Sequence, residues 1–278
     1  MIRRIAAYFL LLSISHIGFA QAAPPQRVVS TNLCTDIYVH LLLPPERIAA
    51  LSDMAVNTQY SPIASELAAE GIANPVNIHG GRAEEIIAVT PDMIVAPSHS
   101  YGVVQLLEKL GHPVERIKLG FRLEDVPTTI IAMGDVLGVP ERAQEVLNAF
   151  EAAKQNAATA GIAERKLSGL VFGANGYTAG RDSLKSDVLA VMGLSNAAER
   201  VGLIRSAALN VEQILAAKPD ILMIDDSSEN KNSLAQSIIA HPALRALPIT
   251  KRLRLSSSHW ICARPYVETI WQPLESAL

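Results

Sequence analysis

Three histidines and one aspartate carry the most obvious chemistry in the chain. His79, His99 and His259 each fall where a predicted strand gives way to a polar corner, and Asp225 closes another such strand. Imidazole and carboxylate suit zinc or manganese, so the four together could hold a bare divalent ion. No close pair of the H-x-x-x-H kind supports this, and solvent-facing or hydrogen-bonded histidines satisfy the same pattern. Cys34 and Cys262, the only cysteines, offer a second chemistry. In an oxidising compartment an even count favours a disulfide; the competing reading is two free thiols, one of them on a metal centre. Signatures of catalysis are missing. There is no G-x-S-x-G, H-E-x-x-H or P-loop, and Gly173, Gly176 and Gly180 have the wrong spacing for a dinucleotide fingerprint. A Cys34–His259 dyad has no spacing to argue for it. The chain is read as a binding protein and not as an enzyme.

The elements that position these residues are announced by a repeat. Glu84-Glu85-Ile86-Ile87-Ala88-Val89-Thr90-Pro91-Asp92-Met93-Ile94-Val95 aligns without a gap with Glu212-Gln213-Ile214-Leu215-Ala216-Ala217-Lys218-Pro219-Asp220-Ile221-Leu222-Met223. Each copy reads as a short helix stopped by Pro-Asp, then an apolar run suited to a buried parallel strand. Between the copies, Val126, Ile130, Met133 and Leu137 form one helical face, Gly138 sits at a left-handed cap and Pro140 opens a further helix. Val146, Leu147 and Phe150 give that second helix its apolar stripe. At a rise of about 1.5 Å per residue, the run to Ala160 makes a rod of roughly 30 Å, long enough to cross a domain. The expected fold is α/β: two lobes with mainly parallel sheets flanked by helices, joined by one long rigid helix. The N-terminal lobe is assigned to 26–124, the helix pair to 125–161 and the C-terminal lobe to 166–278. Ligands of such sheets bind beyond the carboxyl ends of the strands.

Residues 1–22 read as a secretory signal. Arg3 and Arg4 form the basic start, Ile5 to Ala20 the apolar core, and Ala20-Gln21-Ala22 the small-x-small cleavage site. No Cys sits just after the core, so a soluble periplasmic protein is expected rather than a lipid-anchored one. Removing the two arginines takes the formal charge of −3 to about −5. With no basic block or interleaved aromatics, nucleic acid is excluded as a partner. Under export, Cys34 and Cys262 would staple the two lobes at the edge of the cleft.

The order of Arg27-Val28-Val29-Ser30, Pro45-Glu46-Arg47-Ile48, the two Glu-to-Pro-Asp repeats, Leu137-Gly138 and His241-Pro242-Ala243-Leu244 resembles the periplasmic binding proteins of iron-siderophore and cobalamin ABC importers. The resemblance covers nearly the whole mature chain. It implies a monomer with no covalently bound cofactor, which captures a metal chelate between its lobes and hands it to an inner-membrane ABC permease. It also implies one surface carboxylate per lobe facing the permease, which falls on Glu84 and Glu212. Aromatic and cationic corner residues would hold the chelate: Tyr60, His79, Arg82, His99 and Tyr101 from the first lobe, with Tyr177, Arg181, Trp260 and Arg264 from the second. Trp260 could stack on a flat ring or plug the space beneath the last loop. Arg82 and Arg181 could pair with ligand carboxylates or lie solvated. A single histidine acting as axial ligand to haem or cobalt is within reach of the same set. Haem, or a free zinc or manganese ion, is the alternative cargo.

Overall fold

The computed structural model describes residues 23–69, 77–159, 166–225, 238, 241–249 and 251–265. The signal segment 1–22 lies outside the described residues, as do the side chains of Asp225 and His259.

The first lobe alternates strand and helix: β1 (Val28–Ser30), α1 (Leu33–Leu42), β2 (Ile48–Ser52), α2 (Ala64–Ala69), β3 (Asn77–His79), α3 (Ala83–Ala88), β4 (Met93–Pro97), α4 (Val103–Lys109) and β5 (Val114–Ile117). Its sheet is wholly parallel, in the order β3-β2-β1-β4-β5. Val28 pairs with both Ile48 and Met93, so the strand order reverses on either side of β1. Both faces of the sheet are covered, which is why β1 and β2 are buried along their whole length.

Two helices leave this lobe, α5 (Val126–Leu137) and α6 (Pro140–Thr159). Gly138 takes the left-handed conformation at φ 64°, and its N–H closes the end of α5. Gly134 lets the pair pack closely, since a Cβ there would stand 2.3 Å from the Cβ of Ala143. Along α6 only Ala143, Val146, Phe150 and Ala157 are buried, leaving one apolar stripe on a polar helix.

The second lobe repeats the plan with β6 (Ser168–Phe172), β7 (Tyr177–Thr178), α7 (Leu184–Val191), β8 (Ser195–Asn196), β9 (Ala207–Ala208), α8 (Val211–Ala217), β10 (Ile221–Asp225), α9 (Pro242–Arg245) and β11 (Lys251–Leu255). Its path is β11-β10-β6-β7-β9, with β8 also on β6. Strands β6, β8, β10 and β11 are parallel; β7 runs antiparallel to β6 and β9. That short antiparallel insertion departs from the expected polar corner after β6. A left-handed Asn175 (φ 55°) and Gly176 (φ 74°) turn the chain back, so Phe172 pairs with Thr178.

One hydrophobic cluster runs through both lobes. It includes Ile37, Leu51 and Val95, then Ile130, Met133 and Phe150 of the helix pair, and Val171, Leu189, Met223 and Trp260 of the second lobe. Each sheet's outer face has a smaller cluster of its own. Polar ties add to the shared core: the Tyr38 hydroxyl donates to the Ala263 carbonyl at 3.0 Å, and the Ser256 hydroxyl to the Gln59 carbonyl at 3.3 Å. The disulfide Cys34–Cys262 crosses between the lobes with Cα atoms 5.6 Å apart. A hinge through this region would have to open packed apolar surface and a covalent bond together.

Candidate ligand-binding site

The carboxyl edges of the two sheets set the site. In the first lobe β1, β4 and β5 deliver Asn32, His99 and the turn at Leu119-Gly120-Phe121. In the second, β11 leads into Ser257–His259 and then Trp260-Ile261-Cys262. These residues line a cavity of about 250 Å³, to which Asn32, Cys34, His99, Gly120 and Phe121 contribute from one side and Leu184, Trp260, Ile261 and Cys262 from the other. A second cavity of about 520 Å³ adjoins it, sharing His99, Leu119, Gly120 and Phe121 and adding Lys118, Asp125 and Thr128. The disulfide therefore forms part of the wall between the lobes.

Phe121 stands out in this wall. It is 75% exposed, although a phenyl ring is ordinarily driven into a core. Its ring centroid lies 6.3 Å from that of His99, tilted by 41°. The backbone beneath it is tightly held: Asp125 Oδ2 accepts the N–H groups of Phe121 and Arg122, each at 3.0 Å. Gly120 is obligatory in that turn, since a Cβ would stand 1.9 Å from the Asp125 Cβ. Arg122, the next residue, reaches the second lobe. Its Nε donates to Asp187 Oδ2 at 2.7 Å, its second nitrogen to Oδ1, and Leu123 N–H also donates to Oδ2 at 3.0 Å. The Asp187 hydrogen bond raises the Arg122 pKa, so the guanidinium stays charged. Behind the cleft, Asp36 of α1 is fully buried; burial pushes its pKa up to about 7 in spite of hydrogen bonds from Ser30 and Ser52.

The family described as periplasmic binding protein matches residues 45–255. The chain belongs to that family. Among solved structures it is similar to the apo periplasmic heme-binding protein RhuT of Roseiflexus sp. RS-1, at 19% identity over 91% of this chain and 97% of that one, TM-score 0.73. It is similar to the periplasmic vitamin B12 binding protein BtuF of Vibrio cholerae, at 14% identity over 91% and 96%, TM-score 0.63. A third is an ABC-type Fe3+-hydroxamate transport system structure from Saccharomonospora viridis DSM 43017, at 19% identity over 91% and 93%, TM-score 0.66. At such identities the likeness is one of fold. A comparison with curated proteins finds no match.

Within this periplasmic binding protein the residues named from sequence divide sharply. His99 and Trp260 do line the cavity. Trp260 is only 5% exposed, so it forms the floor and offers no open face for stacking. Its Nε1 has no hydrogen-bond partner among the described residues, and the Lys185 ammonium lies 5.7 Å from the ring centroid. Tyr101 and Tyr177 are exposed at the carboxyl edges of their lobes, 74% and 57%, and line neither cavity. Arg181 is exposed beside Asp182 at 3.3 Å. Tyr60 is half-buried against the shared core. Arg82 is exposed but paired with Glu85, its Nε 2.8 Å from Oε1.

Two of the named residues are enclosed by the fold. His79 is buried; its Nε2 bonds the Ser30 carbonyl at 2.7 Å and its Nδ1 accepts the Gly81 N–H at 3.1 Å, so both ring nitrogens are engaged in holding β3 beside the sheet. Arg264 is 2% exposed and donates to the Ser258 carbonyl at 3.3 Å, which makes it part of the interior. Among the described residues no three His, Cys, Asp or Glu side chains converge as a metal site. Of the four residues of the bare-ion arrangement, His79 has both ring nitrogens engaged, while the side chains of His259 and Asp225 lie outside the described residues. Phe121, Arg122 and Asp187 were not found from sequence. Phe121 had a usable signal, for it lies in the Lys118-Leu119-Gly120-Phe121 corner that follows β5.

Proposed function

We propose that this protein captures a flat metal chelate of the tetrapyrrole class, haem or a corrinoid, in the cleft between its lobes and delivers it to an inner-membrane ABC permease. The observation that carries the reading is the exposed Phe121 ring beside His99 at the mouth of a cavity lined by both lobes. A rigid aromatic face suits a planar ring, and an exposed imidazole beside it suits an axial metal bond. Solved structures of the same fold that bind haem and vitamin B12 support this choice of cargo. No chemistry on the cargo is needed. Export through residues 1–22 and a monomeric state complete the proposal.

Glu84 and Glu212 are assigned to permease docking. Both are exposed, and both lie in the first turn of a helix, α3 and α8, that starts from the cleft side of its lobe. Neither forms an ion pair among the described residues. A carboxylate at a helix N-terminus is favoured by the helix dipole, and one per lobe would give register against a basic partner.

The test is a titration of the mature protein with haem, cyanocobalamin, ferric hydroxamates, ferric catecholates and free divalent metals, followed by absorbance and thermal shift. Binding at 100 times Kd raises stability by about 2.7 kcal/mol, a readable shift. Haem or a corrinoid should give it. A response confined to siderophores or bare metal ions, or none at all, refutes the tetrapyrrole reading.

A further inference from the structure

Phe121 and Arg122 are neighbours in the chain with different tasks. One presents its ring to the cleft; the other crosses to the second lobe. A single carboxylate, Asp125, holds both of their N–H groups. Across the cleft Asp187, in the first turn of α7, takes two bonds from the Arg122 guanidinium and one from the Leu123 N–H. The pair is only partly exposed, 34% for the Arg122 side chain and 18% for Asp187, so solvent screens it less than a surface ion pair. Three consecutive residues from Phe121 are thus tied to Asp125 on one side and Asp187 on the other. The turn has little freedom of its own, since Gly120 packs directly on Asp125. Any change in lobe separation that stretches Arg122 from Asp187 must pull on the peptide units that aim Phe121.

We infer that Asp187 is a positioning residue for the ligand: through Arg122 it holds the Phe121 platform in register, so that parting the lobes at this latch loosens the seat of the chelate. The inference rests on the proposal that Phe121 seats the cargo. It adds that affinity is set in part from the opposite lobe, by a side chain in neither cavity wall, and that loosening this ion pair speeds release without the lobes having to part. Ion pairing here would act on ligand residence more than on ligand contact.

The experiment compares the wild-type protein with Asp187→Asn, Phe121→Ala and the double variant. Asp187→Asn retains an acceptor for the Leu123 N–H while removing the charge that holds Arg122. Haem is the probe, and its dissociation rate is followed by transfer to an excess of an apo-globin. Asp187→Asn should speed release about tenfold, within the ordinary range of coupling between sites, and should have little effect once Phe121 is already Ala. Amide exchange needs no ligand, and the Phe121 and Arg122 N–H groups should exchange faster in Asp187→Asn. If the wild type binds haem and Asp187→Asn releases it at the same rate, or if the effect persists undiminished in the Phe121→Ala background, the inference is overturned while the functional proposal stands. If the wild type binds no tetrapyrrole the functional proposal fails, and unchanged amide exchange would then overturn the latch as well.

Discussion

The bridge between Cys34 and Cys262 permits a quantitative prediction. The two residues are 228 positions apart, so the bond closes nearly the whole folded chain into one loop. In the chain-entropy treatment a loop of this length restricts the unfolded ensemble enough to stabilise the fold by about 5 kcal/mol. The native side should change little on its removal, because the shared core, the Tyr38–Ala263 hydrogen bond and the Arg122–Asp187 pair still join the lobes. Replacing both cysteines by serine should therefore lower stability by about 5 kcal/mol. For a chain of this size, at roughly 2 °C per kcal/mol, that lowers Tm by about 10 °C. Urea denaturation followed by circular dichroism should show a lower midpoint and a steeper slope, since the unbridged chain exposes more surface when it unfolds. A loss below about 1 kcal/mol would refute the long-loop account. Alkylation of both thiols in the exported, unreduced protein would show that the bridge is not formed at all.

Asp36 supplies a pH dependence. Its folded pKa, about 7, lies above the ordinary 3.8, so the folded state holds a proton that the unfolded chain has released. This contribution is fully present below about pH 4 and is lost as the pH rises through 7, to an extent on the order of 4 kcal/mol. Asp36→Asn keeps the hydrogen-bonding shape without the charge, and should flatten the stability profile between pH 4 and 7; parallel profiles for the two proteins would sink the argument. Charge reversal at the lobe tips, Glu84→Lys with Glu212→Lys, should leave ligand affinity unchanged and abolish permease-dependent uptake. Intact uptake in that variant would remove both residues from the docking surface.

Much of the architecture was legible without coordinates because its signals are local. The strand after each Pro-Asp stop appears as β4 and β10, and the glycine expected to end α5 sits in the left-handed conformation. Leu137 and Val146 are buried where the helical period placed them. The corner rule brought His99 and Trp260 to the cavity, since strand ends in a parallel sheet share one edge. The same rule did not bring His79 and Arg264 to either cavity wall. A corner residue is a ligand candidate only if no other part of the chain claims its polar atoms, and the claimants here are the Ser30 carbonyl, 49 positions away, and the packed interior behind Trp260.

Composition and periodicity thus determined that there would be two parallel-dominated lobes, a stiff α6 between them and a polar edge facing a cleft, because turns, caps and apolar stripes are written within a few residues of one another. Only the tertiary structure decided which edge residues face ligand space, that Phe121 is left uncovered, and that Arg122 finds Asp187 across the lobes. Those outcomes depend on strand order and lobe placement, which bring together side chains 65 positions apart, and no local pattern records such a meeting.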